Sequence, residues 1–220
     1  MIFEFSASVL AANPLTVADD ILQVTRHGIK SLHLDIMDNH YVDNLALSFD
    51  TATAIIKRFP HLNHDVHLMI EHPENALDRL PLDAIRMITF HPRTAENPIA
   101  LTEKIKKYCI ASVAINPDEN IHDFTDVLNA ANHCLVMGVT PGRCGQAFQP
   151  SALTNINALY TMSRENTCPI QIAIDGGVNK TTLPSILNTK VPIAQAVMGS
   201  ALFGIKNETQ QLKDLMRTMA

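Results

Sequence analysis

The chain has 220 residues, 46% of them hydrophobic, and a formal net charge of −5. That is material for one sizeable core, read here as a single domain over residues 1–220, and too little for two comfortable domains. The charge, with no basic stripe or tail, argues against a nucleic-acid partner, no apolar run approaches the roughly 20 residues of a membrane span, and the opening M-I-F-E-F-S lacks the order of a signal peptide.

In chain order, residues 2–9 read as a short strand ending at Ser8. Asn13 with Pro14 behind it reads as the start of a helix that Gly28 ends, with Val17, Ile21 and Val24 as its apolar stripe. Ser31 to Met37 alternates strictly and is the second strand. A polar loop follows, then a helix near 50–59. A third strand runs to Met69, and Pro73 opens a short helix. Ile85 to His91 reads as the fourth strand, 96–108 as a helix, and Ile110 to Asn116 as the fifth strand. Ile121, Phe124, Leu128 and Ala131 step at helical spacing. Cys134 to Val139 is the sixth strand, and Ser151 caps the next helix. The seventh strand ends at Asp175-Gly176-Gly177, a short helix follows, and Ile193 to Met198 is the eighth strand. Leu212, Leu215 and Met219 mark a last helix. Strands alternating with helices imply a parallel sheet covered by helices. Eight such units in this length fit a closed (β/α)8 TIM barrel, with an open doubly wound sheet as the alternative. Polar residues on one face of several strands suit a barrel interior better.

The alternation also sorts chemistry. In the second strand Leu32, Leu34 and Ile36 share one face, and His33, Asp35 and Met37 the other. In the third, Asp65, His67 and Met69 lie opposite Val66, Leu68 and Ile70. In the seventh, Asp175 follows Gln171 and Ala173, opposite Ile170, Ile172 and Ile174. Any one of His33, Asp35, His67 and Asp175 alone reads as a hydrogen-bonded interior group. All four at the C-terminal ends of barrel strands read as a site for a divalent transition metal. The other histidines, His40 and His91 included, read as surface or loop residues.

Gly176-Gly177 and Gly199-Ser200 follow the last two strands, where barrels often bind phosphate through backbone N–H groups, although tight turns use the same residues. The loop Pro141-Gly142-Arg143-Cys144-Gly145-Gln146 reads as a lid, with Arg143 either turned toward a phosphate or solvated. Met37, Met69 and Met137 are core filler or a dry wall beside a reacting carbon. The cysteines Cys109, Cys134, Cys144 and Cys168 are scattered without a C-x-x-C pair, which reads as reduced cytoplasmic thiols.

Taken in order, S-V-L, H-L-D-I-M-D-N-H-Y-V-x-N-L, V-H-L-M-I-E-x-P-E-N, F-H-P, N-P, V-M-x-V-x-P-G-x-x-G-Q-x-F, D-G-G-V and G-S-A-L-F resemble the ribulose-phosphate 3-epimerase family. The resemblance implies one divalent ion (zinc, iron, manganese or cobalt) held by His33, Asp35, His67 and Asp175. It implies that Asp35 and Asp175 double as the acid/base pair on opposite faces of a phosphorylated ketose. Ser8 and His67 would contact sugar hydroxyls, and Gly142, Arg143, Cys144, Gly145, Gly176, Gly177, Gly199 and Ser200 would line the phosphate end and lid. By analogy it also implies a homo-oligomer. The expected reaction is 3-epimerisation between D-ribulose 5-phosphate and D-xylulose 5-phosphate. The alternatives are another phosphoketose such as D-allulose 6-phosphate, or a phosphosugar-binding barrel without turnover. A Schiff-base aldolase would need a lysine at a strand end, and an orotidine-type decarboxylase an Asp-x-Lys where this chain has Asp35-Ile36-Met37. The chain departs from the family's usual residues at Ala7, Asp43, Ser48, Arg93, Thr140, Arg143 and Cys144, which bears on substrate identity more than on reaction type.

Overall fold

The computed structural model describes residues 2–165 and 169–203. Parallel strands pair in chain order and the last closes on the first. They are β1 (Ile2–Ser8), β2 (Ser31–Met37), β3 (Asn63–Met69), β4 (Met87–Phe90), β5 (Ile110–Ile115), β6 (His133–Met137), β7 (Gln171–Asp175) and β8 (Ile193–Met198). The open-sheet alternative is thereby removed. Outside the barrel lie α1 (Val17–Arg26), α2 (Phe49–Arg58), α3 (Pro98–Ile105), α4 (Thr125–Ala131), α5 (Ser151–Glu165), α6 (Leu183–Asn188) and α7 (Ser200–Phe203). The helix marked by Leu212, Leu215 and Met219, and Cys168, lie outside the described residues. Cys109, Cys134 and Cys144 are free thiols, and no described helix is long and apolar enough to cross a membrane.

The period of two divides the strands between two apolar sets. Leu32, Leu34, Val66, Leu68, Ile88, Phe90, Val113, Ile172 and Ile174 belong to one buried cluster that also takes in Ile21, Ile56, Ile105, Leu128 and Leu159 of the helices. The opposite faces give a small second cluster, Ala114, Leu135, Met137, Ala173 and Val197. This is the inside of the barrel, filled by side chains rather than left as a pore.

Local chemistry explains where the elements differ from the sequence pattern. Asn13 does not cap α1. Its Oδ1 accepts the Leu15 N–H at 3.0 Å and its backbone N–H donates to Asp20 at 2.8 Å, so Asn13-Pro14 forms a turn and the helix begins after Thr16. The helix expected at Pro73 is a 3-10 segment, Pro73–Arg79, that stops at an extended Leu80. Pro81 disfavours the helical conformation at the residue before it. Ser48 and Asn97 cap α2 and α3 through their side chains.

One interior residue makes stability pH-dependent. His133 is 6% exposed, and its Nδ1 lies 2.8 Å from Ser112 Oγ. Burial pushes its imidazole down from 6.5 to about 4. The folded state keeps His133 neutral, so its contribution is intact above pH about 6.5. As pH falls below that, the unfolded chain takes up a proton that the folded chain refuses until about pH 4, and stability drops. Between pH 7 and 5 this group removes about 2 kcal/mol. Urea unfolding at the two pH values is expected to show a loss smaller by that amount in His133→Asn. Equal losses in the two proteins would refute the assignment.

Candidate active site

Strand parity brings the polar residues together at the C-terminal mouth. His33 and Asp35 are on β2, His67 is on β3, paired with Asp35 in register, and Asp175 ends β7. One ligand atom from each lies within 4.8 Å of all the others. His33 Nε2 stands 3.3 Å from His67 Nδ1, 3.5 Å from Asp35 Oδ1 and 3.8 Å from Asp175 Oδ2. His67 Nδ1 stands 3.4 Å from Asp35 Oδ1 and 3.9 Å from Asp175 Oδ2. Ligand bonds of about 2.0–2.2 Å in a tetrahedral site put donor atoms about 3.3–3.6 Å apart. The donors therefore fit one divalent ion with little rearrangement, and two imidazoles with two carboxylates suit the zinc-to-iron range.

The carboxylates are not equivalent. Burial pushes the Asp35 carboxyl up, but His33, His67 and the hydroxyl of Ser8, which donates to Asp35 Oδ2 at 2.7 Å, outweigh it and hold Asp35 below the ordinary range. Burial raises Asp175 too. His33 pulls it back, the neighbouring Asp35 charge pushes it further, and it reaches about 7. The surroundings thus favour the ionised form of Asp35 and the protonated form of Asp175.

Above the cluster is a cavity of about 160 Å³. Ser8, Asp35 and Asp175 line it, as do Met37, Met69 and Met137 and all eight residues expected at the phosphate end and lid: Gly142, Arg143, Cys144, Gly145, Gly176, Gly177, Gly199 and Ser200. His33 and His67 are fully buried beneath it. The Gly-Gly turn is demanded by packing. Gly176 and Gly177 have φ of +96° and +68°, and a Cβ on them would come within 2.5 Å of Val139 and 2.9 Å of Phe148. The loop after β6 is tied to the loop after β2. Asn44 donates to the Gly142 carbonyl at 2.7 Å, and Arg143 pairs with Asp43 at 2.9 Å. Partial burial and the charges of Asp35 and Asp175 push the Cys144 thiol up to about 11, so a neutral thiol faces the cavity.

His91 corrects the sequence reading. It is not a surface residue: it is 1% exposed, and its Nε2 lies 3.0 Å from His67 Nε2. Burial, reinforced by His67, pushes its imidazole well below the ordinary histidine value. The signal was in the sequence, since His91 continues the parity of Met87 and Thr89, but Pro92 made it look like loop. His64 and His133 are likewise buried, whereas His40 is exposed as expected.

His33→Ala is expected to lower the metal-to-protein ratio of the purified chain, because three donors and a void replace a closed set. Elemental analysis after dialysis checks this, and an unchanged ratio would remove His33 from the ligand set.

A family model described as the ribulose-phosphate 3 epimerase family matches residues 4–203. The chain is 31% identical over 208 residues to a ribulose-phosphate 3-epimerase of Buchnera aphidicola subsp. Baizongia pistaciae, covering 93% of this chain and 90% of that one. It is 30% identical over 213 residues to one of Methanocaldococcus jannaschii, covering 96% and 89%. Among solved structures, a mutant tryptophan synthase alpha-subunit from Pyrococcus furiosus superposes with a TM-score of 0.68 at 12% identity, covering 97% of this chain and 94% of that one. That last likeness is one of fold.

Proposed function

The chain belongs to the ribulose-phosphate 3-epimerase family, and from that premise we propose that it interconverts D-ribulose 5-phosphate and D-xylulose 5-phosphate by moving the proton on C3. The observation that carries this reading is geometric: Asp35 and Asp175 come from opposite sides of the barrel mouth, converge with His33 and His67 to within 4.8 Å, and both line one cavity. Inverting a carbon next to a ketone needs a base on one face and an acid on the other, matched to neutral pH. Asp35 and Asp175 take these roles and exchange them in the reverse direction. His33, Asp35, His67 and Asp175 would hold a divalent ion, which would supply positive charge to the oxygens that become negative as the proton leaves.

The remaining residues bind and enclose. Ser8 orients Asp35 and reaches a sugar hydroxyl, whereas His67, buried beneath the cavity with both ring nitrogens turned to other side chains, would act on the substrate only through the ion. Backbone N–H groups of Gly176, Gly177 and Gly199, with the Ser200 hydroxyl, hold the phosphate. The loop carrying Gly142, Arg143, Cys144 and Gly145 closes over the cavity, where the methionine wall keeps water from the carbanionic carbon. The reading extends to a cytoplasmic homo-oligomer.

A second reading, a 3-epimerase of another phosphoketose such as D-allulose 6-phosphate, is favoured by the Asp43–Arg143 pair. Two positions that depart from the family's usual residues meet each other across the mouth. The test is turnover by metal-replete protein in deuterated water, with each substrate in its own tube, following deuterium at C3 and the epimeric product. Deuterium and product from D-ribulose 5-phosphate are expected. Turnover of D-allulose 6-phosphate alone would transfer the assignment to the second reading, and no exchange with either would leave a binding barrel without catalysis.

A further inference from the structure

The buried His91 has no part in the roles assigned so far, yet among the described residues it makes the polar contact to the far side of a proposed metal ligand. His67 presents Nδ1 to His33, Asp35 and Asp175, and its other ring nitrogen, Nε2, lies 3.0 Å from His91 Nε2. The two rings are inclined by 24° with centroids 5.1 Å apart. We propose that His91 is the positioning residue for His67, accepting the proton on Nε2 so that Nδ1 is left as the metal-binding atom. The inference rests on the metal-site reading given above.

The argument is one of proton counting. Two imidazole nitrogens 3.0 Å apart are held together by a single hydrogen between them. Two hydrogens would collide, and none would set lone pair against lone pair. If His67 binds a cation through Nδ1, that nitrogen carries no hydrogen, and the ring's one hydrogen is on Nε2. Nε2 is buried, so its N–H needs an acceptor, and His91 Nε2 is the acceptor within reach. In that form His91 carries its own hydrogen on Nδ1, which is buried without a hydrogen-bond partner among the described residues, a cost that the metal-bound form of His67 has to outweigh. Without a cation, the alternative register puts the His67 hydrogen on Nδ1, 3.4 Å from Asp35 Oδ1.

His91 is also held from behind. The Tyr41 ring lies 4.8 Å from it, and the Asn116 amide donates to the Tyr41 hydroxyl at 2.9 Å. The Asn116 backbone N–H donates to Glu119 at 2.8 Å, and Arg93 donates to Glu119 at 2.7 Å.

The first measurement is long-range proton–nitrogen NMR on the wild-type zinc-loaded protein, which reports which ring nitrogen of His67 carries hydrogen. The hydrogen is expected on Nε2. The second is zinc affinity by chelator competition. His91→Phe keeps the ring but removes the acceptor and penalises only the form of His67 that binds metal, so affinity is expected to fall about 10–100-fold. His91→Gln restores a carbonyl acceptor and is expected to recover most of that loss, which a purely structural role would not produce. Hydrogen on Nδ1 of zinc-loaded His67, wild-type affinity in His91→Phe, or no recovery in His91→Gln would each overturn the inference. If His91→Phe does not fold, the wild-type spectrum and His91→Gln decide it. His33→Ala is the control: zinc lost there but kept at wild-type affinity in His91→Phe sinks only the role of His91, whereas zinc kept in His33→Ala sinks the metal site itself.

Discussion

Asp175→Asn is expected to lower epimerisation by about 10²–10⁴-fold, the range that a positioned general acid or base contributes, while leaving the barrel folded. Asn matches the size of Asp, and the 175 side chain is 13% exposed at the cavity rather than locked in the core. The backbone contact that matters locally, from Gly138 N–H to the Asp175 carbonyl, does not involve the side chain. What the variant loses is the ability to take and return a proton near neutral pH. The loss has a direction that distinguishes it from general damage. Asp35 still faces one side of the substrate, so one epimer is expected to exchange its C3 hydrogen with deuterated solvent without inverting, and the other neither exchanges nor inverts. The assay is run at saturating metal with bound metal measured in the same sample, so that a lost ion is not mistaken for a lost acid. Turnover within a few-fold of wild type would end the two-carboxylate mechanism. Loss of exchange from both epimers would move the role of Asp175 from proton transfer to holding the ion.

The part of this site that was legible in the sequence is the part written in the period of two. β2 and β8 begin and end where the alternation does, and His33, Asp35, His67 and Asp175 converge because they share one parity at strand ends. Turn chemistry was a weaker guide. Asn13-Pro14 carries every mark of a helix start and makes a turn instead, because Asn13 finds its partners at Leu15 and Asp20. His91 was hidden by the proline after it, although its parity with Thr89 points it inward. The least legible feature was the role of Asp65. It shares a face with His67, but it sits two residues nearer the start of β3, and its partners are 21 and 130 residues away at Arg86 and Gln195. Pairing over such separations depends on barrel closure and leaves no local mark.

That buried arrangement carries the largest stability effect expected here. Asp65 is fully buried and accepts from Arg86 twice, Nε at 2.8 Å and Nη2 at 2.5 Å, and from Gln195 Nε2 at 2.6 Å. Arg86 also donates to Glu4 at 2.6 Å, and Glu4 accepts from Ser31 and Asn63. Burial pushes Arg86 and Glu4 toward their neutral forms, but the hydrogen bonds and opposite charges outweigh it, holding Arg86 above and Glu4 below their ordinary values. Removing one member is worse than never having had the pair. Asp65→Ala removes two hydrogen bonds from Arg86, which keeps its pair with Glu4, and leaves the buried Gln195 amide without its acceptor, and is expected to cost about 2–4 kcal/mol in urea unfolding. Replacing both partners by apolar residues of similar volume, Asp65→Leu with Arg86→Met, removes the cation together with the anion, leaves Glu4 (27% exposed) its contact with water, and is expected to cost less than Asp65→Ala alone. The comparison separates two explanations of the same loss. If the single variant falls because a charge is orphaned, the double variant recovers stability. If it falls because the barrel needs this ion pair to close, the double variant is the worse of the two. A cost below about 1 kcal/mol for Asp65→Ala, the scale of an exposed ion pair, would show that water reaches Arg86 as readily as Asp65 does.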